Sequence, residues 1–498
     1  MISKRFFLGG LLASTATSAW AAAPERSLRP VIRPNGFLAR TIDEAADIIA
    51  EANLGGRVGF AVADAATGEM LEVGAPLYPL PPASVAKAIS CAYALDRLGP
   101  AHRFRTRLVS DGVLADGRLD GDLWLVGSGD PIFDTDALAE LVDGLAELGL
   151  REVTGRFRVA TGALPEIWQI DPAQQPYAGY NPSISALNLN FNRVHFEWER
   201  QGEGYTISMD ARSASLRPAV RVSRMRIEER SVPVYTYTDS EDHDAWTVAR
   251  GALGNSGSRW LPVRRPAAYM ADVFQTLMRD RGVSLDSPDF TDAAPETALV
   301  LVEHSSPELE DILRGMMRWS TNLTAEVVGL LATQAGGVIP GSLPESGEAM
   351  GAWMRDTLGA RNATFVDHSG LGVGSRIRPQ DMTQALVNAG PSGLLRELMK
   401  DIPMYDSAGS PVPNHPIDVV AKTGTLNFVS TLAGYARIPG GRDLAFAIFC
   451  ADLDRRAAIP PEQTERPPGA RSYNRAAKRL QQALIERWGA VYTSPSGL

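Results

Sequence analysis

Lysine is scarce in this chain. Of 49 basic residues, five are lysines (Lys4, Lys87, Lys400, Lys422 and Lys478) and the other 44 are arginines. A lysine can be neutral and accept a proton, whereas a guanidinium stays charged, so the retained lysines are informative. Lys87 ends Ser84-Val85-Ala86-Lys87 at the start of a helix-like segment. The i,i+3 spacing puts a hydroxyl and an amine one turn apart on the same face, the pair needed for a serine nucleophile with a lysine base. Alone, this pattern is equally a plain helix start. Ser320-Thr321-Asn322 sits in a break between helical stretches, where a hydroxyl and an amide two apart could project to the same side, but taken alone it reads as a surface turn. Lys422-Thr423-Gly424-Thr425 ends a Val/Ile-rich strand. It offers a cation, two hydroxyls and a glycine that leaves room for an approaching peptide backbone.

Other chemistries lack their residues. The six histidines (102, 195, 243, 304, 368 and 415) form no H-E-x-x-H or other ligand spacing, and two cysteines cannot make a zinc site. No metal and no cofactor is expected. There is no G-x-S-x-G elbow and no phosphate-binding G-x-x-x-x-G-K-[ST] loop. Gly370-Leu371-Gly372-Val373-Gly374 reads as a flexible turn. The net charge of -9 makes nucleic acid a poor partner.

The 498 residues, 44% hydrophobic and 21% charged, suit a globular chain of two to four domains. Lys4 and Arg5 precede an apolar stretch ending at Ala19-Trp20-Ala21, which reads as a secretory leader over 1–23, of general or twin-arginine type. The mature protein is expected to be exported, soluble or loosely membrane-associated, with Cys91 and Cys450 as buried free thiols. Residues 41–53 read as a helix, 57–73 as two strands and 84–98 as a helix. From about 103 to 266 the pattern is short alternating strands, with one clear helix at 136–148. Helices return over 307–334, 345–358 and 379–400, followed by strands at 417–422, 430–438 and 444–452 and a final helix at 474–488. The expected fold is α/β (α+β), one domain interrupted by a β-rich insertion.

S-x-x-K, S-x-N and K-T-G in this order, each in a suitable setting, use two of the lysines. Ser84 and Ser320 are 236 residues apart, too far for a compact β-lactamase, and Ser320 and Lys422 are 102 apart. The chain resembles the D-alanyl-D-alanine carboxypeptidase/endopeptidase family of low-molecular-mass penicillin-binding proteins, whose transpeptidase-like domain carries two extra domains between the first and second motifs. Residues 121–131, Asp367-His368-Ser369-Gly370-Leu371 and Leu432-Ala433-Gly434-Tyr435 agree with it. The resemblance implies a catalytic domain over 24–102 and 306–498, a second domain over 103–130 and 218–305, and a third over 131–217 nested within it. It implies a periplasmic enzyme acting on peptidoglycan stem peptides, inhibited covalently by β-lactams, with a homodimer possible. Ser84 would be the nucleophile, Lys87 its base with a pKa lowered by Lys422 and the helix N-terminus, and Ser320 a proton relay. Asn322 would hold the substrate amide, and Lys422, Thr423, Gly424 and Thr425 the terminal carboxylate. Thr321 departs from the family's usual Asp, and no acid in 188–193 matches the one that reads the stem in some members. Glu326 is expected at a core edge or a cap, not as a deacylating base. The rival readings are a β-lactamase and a non-catalytic peptidoglycan-binding scaffold.

Overall fold

The structure, a computed structural model, describes residues 42–493. The expected leader lies outside them. Among the described residues, no helix is long and apolar enough to cross a membrane.

Six antiparallel strands form the main sheet: β1 (Arg57–Asp64), β2 (Met70–Gly74), β3 (Lys400–Asp401), β4 (Asp418–Leu426), β5 (Val429–Arg437) and β6 (Asp443–Ala451). Their spatial order is β3-β4-β5-β6-β1-β2. Successive strand residues face opposite sides, and here both sides are apolar because both are covered. In β6, Leu444, Phe446, Ile448 and Cys450 join a core with Tyr473, Leu480 and Trp488 of the terminal helix Ala470–Tyr492. Ala445, Ala447, Phe449 and Ala451 join the core on the other face. That face is covered by α1 (Ala86–Leu98), α2 (Leu309–Trp319), α3 (Asn322–Ala335), α4 (Leu343–Leu358) and α5 (Pro379–Ala389). α5 lies directly on the sheet, where Thr383 Oγ1 donates to the Ala61 carbonyl at 3.1 Å and Tyr435 Oη to the Leu386 carbonyl at 2.7 Å.

Between α1 and α2 in sequence lies a second core. A five-stranded sheet runs in the order 289–291, 157–160, 123–127, 105–110, 299–305. Helices Thr135–Glu147 and Pro266–Asp280 contribute Leu138, Leu141, Phe274 and Leu277 to its core. Three three-stranded sheets, 193–210 with 256–262, 223–249, and 113–120 with 152–153, complete it. Phe157–Ala160, within the segment 131–217, pairs with Leu123–Gly127 on one side and Asp289–Thr291 on the other. The expected cut at 131 therefore passes between hydrogen-bonded neighbours.

Several local expectations change. Pro266–Asp280 forms a helix not expected from the sequence, with Ala267, Met270, Ala271, Phe274, Leu277 and Met278 on its buried face at helical spacing. The long helix at 379–400 breaks at residues 390–393, Gly-Pro-Ser-Gly, where proline and glycine disfavour continuation. β4 runs through Leu426, so Lys422 to Thr425 lie inside the strand and not beyond it.

Cys91 and Cys450 are both free and buried. They belong to the cores on opposite faces of the sheet. Alkylation of the unfolded, unreduced protein should therefore add two labels. A product without labels would show a disulfide and contradict this packing.

Candidate active site

The three motifs converge at one end of α1. Ala83, just before Ser84, has φ +48, and Ser320, between α2 and α3, has φ +60. Both are left-handed conformations that cost a non-glycine residue energy and persist only where packing imposes them. Thr431 Oγ1 donates to the Pro82 carbonyl at 2.7 Å, tying β5 to the turn before Ser84. Gly424 meets the same turn: a Cβ there would lie 2.1 Å from Thr431 Oγ1 and 2.9 Å from the Pro82 oxygen. Its lack of a side chain is thus used for packing behind Ser84, a different reason from the expected clearance for substrate.

Lys87 is fully buried. Its Nζ donates to Ser84 Oγ at 3.0 Å, Asn322 Oδ1 at 2.7 Å and the Ser369 carbonyl at 2.8 Å. Three acceptors satisfy all the protons of an ammonium. Burial pushes its pKa down to about 8, while Glu326 and Asp367 oppose that shift. The expected contribution of Lys422 and the helix terminus to this shift is replaced by desolvation. Lys422, also buried, donates to Ser320 Oγ at 2.9 Å and to the Thr423 carbonyl at 2.8 Å. Its pKa lies well below the usual lysine value, through burial and then through Lys87 and Lys400. Two buried amines facing one site disfavour two positive charges.

Asn322 bridges two bodies. Its Nδ2 donates to the Tyr180 carbonyl at 2.8 Å, so the inserted segment orients the amide whose oxygen meets Lys87. Thr321 Oγ1 donates to Thr324 Oγ1 at 2.8 Å and does not line the cleft.

In front of these groups is a cleft of about 730 Å³ lined by Ser84, Ser320, Asn322 and Thr425, with Gln174 and Tyr180 from the insert. Of the Lys422 to Thr425 stretch, Thr425 is the lining residue. β3 pairs with β4 at Ala421 and Val420, leaving the outer edge of 422–426 without a strand partner. An extended peptide can add there as a further strand.

Two features differ from expectation. The glycine-rich segment is not a loose turn: Asp367 Oδ1 accepts from the Gly370 amide at 2.8 Å, and Oδ2 from Gly372. Glu326 is neither an edge nor a helix cap but fully buried, accepting from the amides of His368 and Ser369. Residues 188–193, where a stem-reading acid was sought, form a turn with Asn190, Phe191 and Asn192 all at positive φ. Asparagine tolerates that conformation, and Asn192 Nδ2 bonds Asn188 Oδ1 at 2.7 Å.

Among the described residues, His195, Glu197 and Asp210 form the one group that could hold a metal ion, with ligand atoms within 4.8 Å. It was missed because the third member lies across a strand pair, opposite His195. Arg212 already bridges the two carboxylates, at 2.7 Å from Glu197 and 3.0 Å from Asp210.

The chain matches the model of the D-Ala-D-Ala carboxypeptidase 3 (S13) family over residues 41–464. It belongs to that family. It is a serine-type hydrolase of the D-Ala-D-Ala carboxypeptidase class. Over 431 residues it is 28% identical to a D-alanyl-D-alanine carboxypeptidase of Actinomadura sp., covering 78% of this chain and 77% of the relative. It is 23% identical over 389 residues to the D-alanyl-D-alanine carboxypeptidase DacB of Haemophilus influenzae, covering 74% and 79%. The crystal structure of penicillin binding protein 4 (dacB) from Haemophilus influenzae shares the fold, with TM-score 0.71 and 20% identity over 88% of this chain and 99% of that one.

Gly370 has φ +74, and a Cβ there would lie 1.9 Å from the Ala83 oxygen. Gly370→Ala should therefore displace the nucleophile turn and lower D-Ala release from a D-Ala-D-Ala peptide by about 100-fold, as expected for a misplacement of about 1 Å. Unchanged turnover would show that the turn does not set the position of Ser84.

Proposed function

We propose that the enzyme cleaves the D-Ala-D-Ala bond of peptidoglycan stem peptides, and cross-links of the same chemistry, through an acyl-enzyme on Ser84. The observation that carries this reading is the 3.0 Å hydrogen bond between Ser84 Oγ and a buried Lys87 whose pKa is pushed down to about 8. Lys87 takes the proton of Ser84 as Oγ bonds the D-Ala carbonyl carbon. The backbone N–H groups of Ser84 and Thr425 receive the oxyanion. Ser320, held by Lys422, passes a proton to the departing D-Ala amine, and water then releases the acyl group. Asn322 orients Lys87 and faces the substrate amide. Thr425 meets the terminal carboxylate from the cleft wall. Lys422, with Thr423 and Gly424 in the same strand, supplies positive potential from behind Ser320. The open edge of β4 supports a substrate lying as an added strand.

β-Lactams mimic the same substrate and should acylate Ser84. A β-lactamase needs a base for deacylation, and Glu326 is a poor candidate because both its oxygens are already engaged by backbone amides. The leader reading places the enzyme in the periplasm, and the body spanning 103–305 is read as inserted domains that shape substrate choice. Through Tyr180 this insert also touches the catalytic amide.

Two lysine variants test the assignment. Lys87→Arg keeps a charge but loses the base, and D-Ala release should fall by about 1,000-fold, within the range for losing general-base catalysis. Lys422→Arg keeps the positive potential and should cost about tenfold, equivalent to about 1.4 kcal/mol. Equal losses would show that the base has been misassigned. Ser84→Ala should abolish D-Ala release, and residual release at the wild-type rate would refute the nucleophile.

A further inference from the structure

α3 presents two side chains to the base, one turn apart. Asn322 meets Lys87 Nζ directly. Glu326, at i+4, approaches from behind the turn at 367–370. Its Oε2 accepts from the His368 amide at 2.8 Å and its Oε1 from the Ser369 amide at 2.9 Å. The peptide plane joining His368 to Ser369 is thus held at its N–H end by Glu326, and at its carbonyl end by Ser90 Oγ, which donates at 2.6 Å. The next plane is held at its N–H end by Asp367, through Gly370. Its carbonyl end is Ser369 O, the third acceptor of Lys87. The turn is a rigid bracket between a buried carboxylate and the catalytic amine.

We propose that Glu326 is a positioning residue for the general base, ionised in the resting enzyme. Together with Asp367 it fixes the turn that aims the Ser369 carbonyl at Lys87 Nζ, and its charge stabilises the ammonium formed when Lys87 takes the Ser84 proton. This inference rests on the Ser84–Lys87 reading above. In the step concerned the Ser84 O–H bond breaks, an N–H bond forms on Lys87, and Oγ bonds the carbonyl carbon. No other reactant is required.

The charged groups around Lys87 are few. Glu326 faces it from α3 and Asp367 from the turn. Lys422 faces it from β4, with Lys400 of β3 beyond. Asp171 of the insert acts on Asp367. His368 is buried, with its pKa pushed down to about 3, and so is neutral. Burial and then Asp367 push the Glu326 pKa up to about 8, with the two amides and Lys87 opposing that rise; the ionised assignment is carried by the geometry, in which each oxygen faces a backbone N–H donor. Two N–H donors on one carboxylate favour its ionised form.

The test follows acylation of the full chain by a chromogenic β-lactam across pH, in wild type, E326Q and E326D. A lysine base works when neutral, so the wild-type rate should rise with pH through the Lys87 pKa. E326Q removes the negative charge that raises this pKa, and the rising limb should move to lower pH by about one unit. E326D keeps the charge at shorter reach, so its limb should stay in place while its rate falls. Mere loosening of the turn would admit water and move the limb upward, towards an ordinary lysine. A limb in E326Q that is unmoved or raised overturns the proposal. If E326Q does not fold, carboxyl-carbon NMR of glutamate-labelled wild type at pH 7, assigned with E326D, decides instead: an ionised Glu326 supports the proposal and a protonated one overturns it. Labelling that survives Ser84→Ala would fail the underlying reading. An unmoved limb with Ser84→Ala inert fails this inference alone.

Discussion

A primary amine without solvent contact, held by three oxygen acceptors, is the constraint around which this fold is arranged. Leaving the charged form of Lys87 unpaired in the interior would cost several kcal/mol. Its acceptors come from three places distant in sequence: Ser84 on its own helix turn, Asn322 on α3 and Ser369 in the turn after α4. Each must be delivered to within hydrogen-bond distance. The left-handed residues at 83 and 320 and the buried carboxylates behind 367–372 serve that delivery.

The same burial sets the chemistry. A solvated lysine would be protonated and inert as a base at neutral pH. Desolvation brings Lys87 to about 8, and Glu326 and Asp367 keep it from falling further. A base poised near the working pH combines a useful neutral fraction with the strength to take a hydroxyl proton. Lys422, close by, is held low as well, and its bond to Ser320 links the second and third motifs.

How much of this was legible in the sequence depended on how local the signal was. Ser84 and Lys87 are one helical turn apart, and the scarcity of lysine made the pair visible. Five of the six main-sheet strands were legible because apolar residues run through them, whereas β3, two residues long, was read as the end of the helix at 379–400; the break at Ser320 was legible because two helical patterns meet there. The role of Glu326 was not legible, since its partners are backbone amides more than 40 residues away that carry no side-chain signature. Tyr180 contributes a carbonyl, which any residue could supply. Gly370 and Gly424 read as turn flexibility and substrate clearance, yet each leaves room for the backbone of residues 82 and 83. The helix at 266–280 was missed in spite of its periodicity, because Pro266 read as the end of the strand-rich region and in fact occupies a first helical position, which suits proline.

The central claim is that Ser84 forms an ester that Lys87 helps to make and that no carboxylate is free to hydrolyse quickly once a tethered leaving group blocks the approach of water. Intact-mass measurement with peptide mapping after mixing with benzylpenicillin tests it most directly. The account predicts one stoichiometric adduct, located on Ser84, that persists for many minutes. Rapid return to the free-enzyme mass with continuous drug hydrolysis, or an adduct on another residue, would contradict it.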